Sequence, residues 1–218
     1  MGIGMDLVEY LRKMRLVPVA EVGSAFDAVP LARALCDGGL PLVEVTFRTP
    51  AAADAIKAIA TEVPDMVVGA GTVRSIEQAE RALDAGASFL VAPGLNQEVI
   101  ARASALGLPI LPGVCTPTEI EQALAMGLGL LKFFPAEAAG GLSYLKALAG
   151  PYRDVMFVPT GGIGVSNLAS YLELANVVAC GGSWMVSPSL ISSGDFATIT
   201  ALTAEALALI EAPKGVSA

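Results

Sequence analysis

The chain has 218 residues, contains no histidine and carries 13 basic against 21 acidic side chains, for a formal net charge of −8. Its length suits one sizeable domain or two small ones, and its 54% of hydrophobic residues is enough for a large buried core. The missing histidine excludes Ser-His-Asp and Cys-His nucleophile pairs, and the acidic surplus disfavours a nucleic-acid partner.

Short runs of Val, Leu, Ile and Phe alternate with Ala-rich segments of helical period along the chain, which is typical of repeated strand and helix units. A first helix is expected at about residues 5–14 and a last one at about 196–210, followed by a flexible tail at about 212–218. Thr116 and Glu119 predict a capping box at the start of one helix. The strand candidates between these ends are Leu16–Glu21, Leu42–Thr46, Val67–Ala70, Phe89–Ala92, Pro109–Leu111, Leu130–Phe133, Val155–Pro159 and Val177–Ala179.

Eight strands at such regular steps predict a (β/α)8 TIM barrel with an extra N-terminal helix, formed by residues 1–218 as one domain. The alternative is an open doubly wound sheet, which the absence of G-x-G-x-x-G after the first strand disfavours. No hydrophobic run is long enough to span a membrane, and the N-terminus lacks a secretory signal. Three widely spaced cysteines suit reduced thiols, so we expect a cytoplasmic protein without a membrane partner.

One lysine, Lys132, lies inside a predicted strand, within Leu-Leu-Lys-Phe-Phe-Pro at residues 130–135. Burial disfavours the charged form of an amine, and a neutral amine is a nucleophile toward carbonyl groups. Lys132 is therefore a candidate for Schiff-base formation. The alternative is a lysine that extends from an edge strand or pairs with a carboxylate.

Two charged residues at the second predicted strand could work with this amine. Glu44 alternates with Val43 and Val45, so it is expected to point inward, where a carboxylate near an amine can transfer protons. Arg48 follows the strand and could hold a substrate carboxylate with two hydrogen bonds. The alternatives are a plain ion pair for Glu44 and a surface position for Arg48.

Gly-Gly pairs follow the last two predicted strands, at residues 161–162 and 181–182, and Ser183 adds a hydroxyl to the second. Loops after strands 7 and 8 are the recurrent phosphate site of TIM barrels, because bare amides there can receive an anion. Ordinary turns are the alternative. No cluster of metal ligands is evident, so neither a metal nor another cofactor is expected.

Six motifs in order between about residues 10 and 210 resemble the 2-keto-3-deoxy-6-phosphogluconate (KDPG) aldolases of the KDPG/KHG aldolase family. They are Glu44-Val45-Thr46-Phe47-Arg48-Thr49, Gly69-Ala70-Gly71-Thr72-Val73, Pro93-Gly94, Leu131-Lys132-Phe133-Phe134-Pro135-Ala136-Glu137, Pro159-Thr160-Gly161-Gly162-Ile163 and Gly181-Gly182-Ser183-Trp184. The resemblance implies a metal-independent class I aldolase of the Entner–Doudoroff pathway, a carbon–carbon lyase that cleaves KDPG to pyruvate and D-glyceraldehyde 3-phosphate. It also implies activity on 2-keto-4-hydroxyglutarate (KHG) and a homotrimer.

Carried over by position, the resemblance makes Lys132 the Schiff-base lysine and Glu44 the proton-transfer residue. It assigns the pyruvyl carboxylate to Arg48 and Thr72 and the pocket wall to Pro93 and Phe134. The distal hydroxyl and phosphate would contact Thr160, Gly161, Gly162, Gly182 and Ser183.

Glu21 departs from the family, which usually carries an apolar residue there, while some related aldolases carry Arg. Facing the mouth of the site, it would disfavour an anionic substrate by like-charge repulsion. Alternatively, Arg15 or Arg48 neutralises it, or it faces outward. Ala92, where the family commonly has Ser, is a smaller difference. Two other functions stay open: an aldolase for the galactonate analogue KDPGal, and a sugar-phosphate isomerase or binding barrel without imine chemistry.

Overall fold

The computed structural model describes residues 6–211, in which nine parallel strands form two sheets. The strands are β1 (Leu16–Ala20), β2 (Leu42–Thr46), β3 (Val67–Gly71), β4 (Phe89–Val91), β5 (Ile110–Leu111), β6 (Gly113–Val114), β7 (Leu130–Phe133), β8 (Met156–Pro159) and β9 (Cys180–Gly182). Six of them form one sheet in the order β5-β4-β3-β2-β1-β9, and the other three form a second sheet in the order β6-β7-β8. The chain thus places β2 inside the larger sheet and β7 at the centre of the smaller one.

Within the described residues, ten α-helices lie before, between and after these strands. They are α1 (Leu7–Met14), α2 (Ala28–Asp37), α3 (Ala52–Glu62), α4 (Ile76–Asp84), α5 (Gln97–Ala105), α6 (Pro117–Ala125), α7 (Gly141–Leu148), α8 (Leu168–Leu172), α9 (Pro188–Ser193) and α10 (Phe196–Glu211). The extra N-terminal helix is present as α1, although residue 5 of its predicted span lies outside the described residues, as does the predicted tail at 212–218. None of these helices is long and apolar enough to cross a membrane.

The prediction of a closed eight-stranded (β/α)8 TIM barrel was wrong, because the strand ladder is interrupted at two places. The fifth predicted strand, Pro109–Leu111, is followed by Pro112, which has no N–H for a ladder hydrogen bond, and then by β6, which was not predicted. As a result, β5 pairs with β4 while β6 pairs with β7. At the other place, β8 meets the chain around β9 only through the isolated bridges Phe157 to Val177 and Thr160 to Gly181. The result is a six-stranded half-barrel sheet facing a three-stranded sheet.

Both faces of the larger sheet are covered, as the sequence of β2 shows. All five residues of this strand are buried. Since side chains alternate along a strand, Val43 and Val45 share the face opposite Glu44. Helices α2 and α3 contribute fully buried side chains such as Leu35 and Ile56 to the same continuous core. The apolar excess of the composition is therefore used to cover parallel strands on both sides.

The predicted capping box at the start of α6 is confirmed. The Thr116 hydroxyl accepts from the Glu119 N–H at 3.4 Å, and the Glu119 carboxylate accepts from the N–H groups of Cys115 and Thr116 at 2.8 Å each. Partial burial acts to raise the pKa of Glu119, but these hydrogen bonds and that of the Thr116 hydroxyl outweigh it, so the pKa is lowered.

Replacement of this carboxylate in Glu119→Ala is expected to lower the free energy of unfolding by about 1 kcal/mol near neutral pH, a modest loss because the group is partly exposed. Since the pKa is lowered in the folded state, the contribution is present above the unfolded pKa and is lost as the pH falls through the folded value. Urea unfolding at neutral and acidic pH measures this, with Glu98→Ala in the first turn of α5 as the control. A difference that does not shrink in acid would contradict the assignment.

Candidate active site

A buried contact between Lys132 and Glu44 joins the two sheets. Lys132 lies in β7 and Glu44 in β2, and the Lys132 Nζ is 3.3 Å from the Glu44 Oε1. The side chains are only 7% and 3% exposed, respectively. The inward orientation expected for Glu44 is confirmed, and Lys132 is not an edge-strand lysine, because β7 is flanked by β6 and β8.

Two neighbours shape this contact. At Gly71, the last residue of β3, a β-carbon would lie 2.2 Å from the Glu44 Oε1, so any side chain there would displace the carboxylate. On the other side, the Lys132 Nζ lies 5.3 Å from the ring centre of Phe134, within the range of a cation–π interaction. The carboxylate and the aromatic face thus hold the amine from two directions.

A cleft of about 200 Å³ opens above this contact, at the carboxyl ends of the strands. That edge of a parallel sheet is the usual place for a ligand. The cleft is lined by Val19, Glu21, Thr46, Arg48, Phe134, Thr160, Gly161, Gly162, Ile163, Gly181, Gly182, Ser183 and Pro188. Of the eleven residues predicted for the site, seven are among them.

The other four predicted residues lie outside the lining. Lys132 lies two residues before the lining residue Phe134, whose ring centre is 5.3 Å from its Nζ, and Glu44 lies two residues before the lining residue Thr46. Thr72 follows Gly71, whose backbone touches Glu44. The Pro93 backbone lies against Gly113, since a β-carbon on Gly113 would be 2.2 Å from the Pro93 carbonyl oxygen. Gly113 in turn pairs with Lys132 across β6 and β7.

Glu21 lies at the rim of the cleft, where its Oε2 is 3.6 Å from the Arg48 Nη1. Both side chains are about half exposed, at 41% and 52%. Arg15 does not neutralise Glu21, because its Nη2 donates a hydrogen bond to the Leu172 carbonyl at 2.8 Å. Of the alternatives for Glu21, the structure selects a carboxylate in the mouth of the site that is paired with Arg48.

The Gly161-Gly162 turn forms the opposite wall. Both residues have positive φ, 102° and 80°, a conformation that glycine adopts without strain. Thr160 precedes them and is packed against the second glycine pair, since a β-carbon on Gly181 would lie 2.3 Å from its Oγ1. The two glycine pairs are therefore neighbours, as expected for loops after adjacent strand positions.

Sequence reasoning did not assign four residues of the lining, Val19, Thr46, Ile163 and Pro188, and named Gly181 only as part of the second glycine pair. Thr46 carried a usable signal, because it lies two residues beyond Glu44 in β2 and so shares its face. Its hydroxyl donates to the Ala20 carbonyl at 3.1 Å. Pro188 carried no such signal, since it reaches the cleft from α9, outside the strand ends.

The three cysteines are free thiols away from this lining. Burial raises the pKa of Cys180 far above its ordinary value, against an opposing effect of Arg15. Its thiol therefore stays protonated and unreactive near neutral pH. Residues 6–211 contain no group of three or more His, Cys, Asp or Glu side chains arranged to bind a metal ion.

The buried contact predicts strong thermodynamic coupling between its partners. Lys132→Met or Glu44→Leu alone leaves one buried charge without its partner, so each is expected to lower the free energy of unfolding by about 3 to 5 kcal/mol. The double variant removes both charges and is expected to recover most of that loss. Urea unfolding of all four proteins gives the coupling energy.

A matched control is the Arg102–Glu80 pair, whose atoms are closer, at 2.7 Å, but whose side chains are 41% and 44% exposed. Its coupling energy is expected to stay below about 1 kcal/mol. Additive losses in the Lys132 and Glu44 variants would show that the buried groups are not coupled.

The sequence model of the KDPG and KHG aldolase family matches residues 7–202. Among curated proteins, a 2-dehydro-3-deoxy-phosphogluconate aldolase from Treponema pallidum (strain Nichols) is 50% identical over 206 residues, which make up 94% of this chain and 98% of that protein. The similarity thus extends over nearly the whole length of both chains.

Solved structures agree with this result. KDPG aldolase from Legionella pneumophila, with pyruvate captured at low pH as a covalent carbinolamine intermediate, is 38% identical with a TM-score of 0.90, covering 94% of this chain and 99% of that chain. The 2-keto-3-deoxy-6-phosphogluconate aldolase of Zymomonas mobilis ZM4 with 3-phosphoglycerate is 42% identical with a TM-score of 0.87, covering 94% and 97%. Sequence and fold therefore lead to the same group of proteins.

Proposed function

The chain belongs to the KDPG and KHG aldolase family, and we propose that it is a class I aldolase, a carbon–carbon lyase that cleaves KDPG to pyruvate and D-glyceraldehyde 3-phosphate. The observation that carries the proposal is the Lys132 amine held 3.3 Å from the Glu44 carboxylate beneath a cleft. An amine beside a base and under an open site is what Schiff-base catalysis requires.

In the first step, the Lys132 Nζ attacks the C2 carbonyl of the keto acid to form a carbinolamine. Loss of water then gives the protonated Schiff base, which draws electrons from the adjacent bonds. Glu44 is the base within reach of the amine, so it takes the proton that the ammonium must release and returns it to the departing hydroxyl.

In the second step, Glu44 removes the proton of the C4 hydroxyl and the C3–C4 bond breaks. The electron pair of that bond moves into the iminium group and forms an enamine, while C4 leaves as the aldehyde of glyceraldehyde 3-phosphate. Protonation of the enamine at C3 and addition of water release pyruvate and regenerate Lys132. The same carboxylate can thus give a proton to the departing hydroxyl, take the proton of the C4 hydroxyl and give a proton to C3. Glu44 therefore serves all three transfers without a histidine.

The keto-acid carboxylate is assigned to Arg48 and Thr72. Arg48 lines the cleft but is shared with Glu21 at 3.6 Å, so the substrate carboxylate competes with a resident one. The ring of Phe134 covers the amine, and Pro93 supports the neighbouring strand through its contact with Gly113. These apolar groups keep water away from the Schiff base.

The phosphate end is assigned to the opposite wall of the cleft. Backbone amides of glycine-rich turns bind phosphate without a side-chain charge. The net charge of −8 does not oppose such binding, because the donors are local. The residues assigned to the distal hydroxyl and the phosphate are Thr160, Gly161, Gly162, Gly182 and Ser183.

The proposal extends to KHG, which the family description names beside KDPG. Its distal carboxylate is an anion that the same amides can receive. KDPGal requires the same Lys132 chemistry and differs in hydroxyl configuration. Glu21, at the rim of the cleft, is our candidate for distinguishing the two configurations, because its carboxylate can accept a hydrogen bond from a substrate hydroxyl.

We also propose that the protein assembles as a homotrimer in the cytoplasm. An apolar depression between α10 and the chain near Trp184 supports an interface, since it exposes Val165 and Leu209. A particle mass of three chains in analytical ultracentrifugation is the test. The thiol state of Cys36, Cys115 and Cys180 fits a reducing compartment.

The Schiff base is tested by reduction with borohydride in the presence of pyruvate. A pyruvate-derived mass is expected on the peptide containing Lys132, because borohydride converts the imine to a stable secondary amine. Lys132→Ala is expected to lose the adduct and to lower kcat by at least about 1000-fold. Peptide mass spectrometry locates the adduct.

Lys146, on the exposed face of α7, provides the control, since Lys146→Ala is expected to keep both the adduct and the turnover. Full turnover in Lys132→Ala would favour a sugar-phosphate isomerase or binding protein. Dialysis against EDTA is expected to leave the activity unchanged, whereas a loss that added metal restores would overturn the metal-free mechanism.

The phosphate wall is tested by comparing KDPG with 2-keto-3-deoxygluconate, the same molecule without the phosphate. Ser183→Ala is expected to lower kcat/KM for KDPG about 10-fold, the loss of one hydrogen bond to a charged group, and to leave the unphosphorylated substrate unaffected. Ser143→Ala, an exposed serine in α7, is the control. Equal losses on both substrates would remove Ser183 from the phosphate site.

A further inference from the structure

A hydrogen bond between Tyr171 and Glu137 is not used by the proposed reaction. Tyr171 lies in α8 and is completely buried, and its hydroxyl donates a hydrogen bond to the Glu137 Oε1. Glu137 lies in the connection between β7 and α7, a few residues beyond Lys132. The bond therefore ties the segment that follows the amine to a helix that follows β8.

This segment is attached to the Gly161-Gly162 turn along its backbone. The N–H of Ala136 donates to the Thr160 carbonyl at 2.8 Å, and the N–H of Glu137 donates to the Gly161 carbonyl at 3.0 Å. Neither Ala136 nor Glu137 lines the cleft. The carbonyl oxygens of the turn are thus engaged by groups outside the cleft, which prevents them from facing an incoming anion.

The next residue of the turn is fixed in a similar way. The Gly162 carbonyl accepts from the Asn167 Nδ2 at 3.1 Å. Within the part of the chain that the structure describes, the N–H groups of Gly162 and Ile163 have no hydrogen-bond acceptor. Both residues line the cleft, so these two donors are available to a ligand.

The side chain of Glu137 supports the turn directly. A β-carbon on Gly162 would lie 2.6 Å from the Glu137 Cγ, so the aliphatic part of Glu137 lies against the glycine backbone. A β-carbon on Gly141 would lie 3.1 Å from the Glu137 Oε1 and 3.3 Å from the Tyr171 hydroxyl. The Glu137 side chain thus lies close to the backbone of both glycines, with the Tyr171 hydroxyl as its hydrogen-bond donor.

We infer that Glu137 and Tyr171 are positioning residues for the phosphate end of the substrate, an inference that rests on the proposed function. They hold the Gly161-Gly162 turn so that the N–H groups of Gly162 and Ile163 face the cleft. The hydrogen bond also keeps the Glu137 carboxylate in one place, since a carboxylate that turned toward the phosphate would repel it. Neither residue contacts the reacting carbons, so both act through the turn.

The protonation state of Tyr171 suits this role. Burial raises its pKa, and the hydrogen bond and charge of Glu137 raise it further, well above the ordinary value. The hydroxyl therefore stays a donor across the neutral range. This hydrogen bond holds the Glu137 carboxylate toward α8 while the aliphatic part of its side chain lies against Gly162.

The test separates phosphate binding from catalysis. Tyr171→Phe removes the hydroxyl and keeps the buried ring. It is expected to raise KM for KDPG and the Kd of inorganic phosphate about 10-fold, with kcat changed less than about twofold. Its kcat/KM for 2-keto-3-deoxygluconate and its rate of pyruvate trapping on Lys132 are expected to equal those of the wild type.

Three further variants complete the design. Glu137→Gln keeps an oxygen acceptor for Tyr171 and is expected to bind phosphate within about twofold of the wild type, whereas Glu137→Ala reproduces the Tyr171→Phe defect. Tyr152→Phe is the matched control, because it removes a hydroxyl that bonds the Glu121 carboxylate at 3.1 Å, away from the cleft lining. It is expected to leave phosphate binding unchanged.

The outcomes distinguish this inference from the proposed function. Unchanged phosphate binding in Tyr171→Phe, or equal losses on phosphorylated and unphosphorylated substrates, would overturn the positioning role alone. A wild-type protein that forms no pyruvate adduct on Lys132 would instead overturn the proposed function. Isothermal titration calorimetry with inorganic phosphate remains a direct readout in either case, because it requires no turnover.

Discussion

The contact between the Lys132 amine and the Glu44 carboxylate is the constraint on which the site depends. Its partners stand on different sheets, Lys132 on β7 and Glu44 on β2, so it exists only when the two sheets face each other. Removing two charged groups from water costs several kcal/mol per group, and the pair offsets this only through its close approach. The part of this cost that the pair does not offset is met by the burial of the surrounding apolar core. A chain that needed stability alone would do as well with two apolar side chains there, so the presence of the charged pair fits the catalytic role proposed for it.

The cleft near this pair is lined by only two charged side chains, and both lie at its rim. Arg48 and Glu21 pair at the rim, half exposed, where water weakens their attraction and a substrate carboxylate can compete for the guanidinium. The far wall has no charged side chain among its lining residues and offers backbone donors from the Gly161-Gly162 turn. The acidic net charge therefore does not oppose the proposed anionic substrate, because the donors assigned to it are local while the net charge is spread over the surface.

The hydrophobic pattern of the sequence predicted strand bounds accurately where the strand carries large apolar side chains, and inaccurately where it consists mainly of glycine. Leu42–Thr46 and Leu130–Phe133 were found at their exact ends, whereas the last strand was expected at 177–179 and lies at Cys180–Gly182, since glycines give no strand signal. The break at Pro112 follows from its missing N–H, but the sequence does not show that the neighbouring strands would then choose different sheets. Lys132 was predictable from its place inside an apolar strand, Glu44 from the alternation along its strand, and the glycine pairs from the strand ends. The choice of Arg48 over Arg15 as the partner of Glu21, and the bond from Tyr171 to Glu137, were not, because both depend on side-chain orientation.

The three-stranded sheet has a consequence for the size of molecule that the cleft accepts. Lys132 on β7 is paired with Val158 on β8, and the Gly161-Gly162 turn begins just beyond the end of β8. The register of two hydrogen-bonded strands thus sets the distance between the Lys132 backbone and the turn. Under the function proposed above, the two ends of a substrate joined to Lys132 would be held by neighbouring strands of one small sheet. The turn proposed for the phosphate would then keep its position relative to β7 whichever ligand is bound.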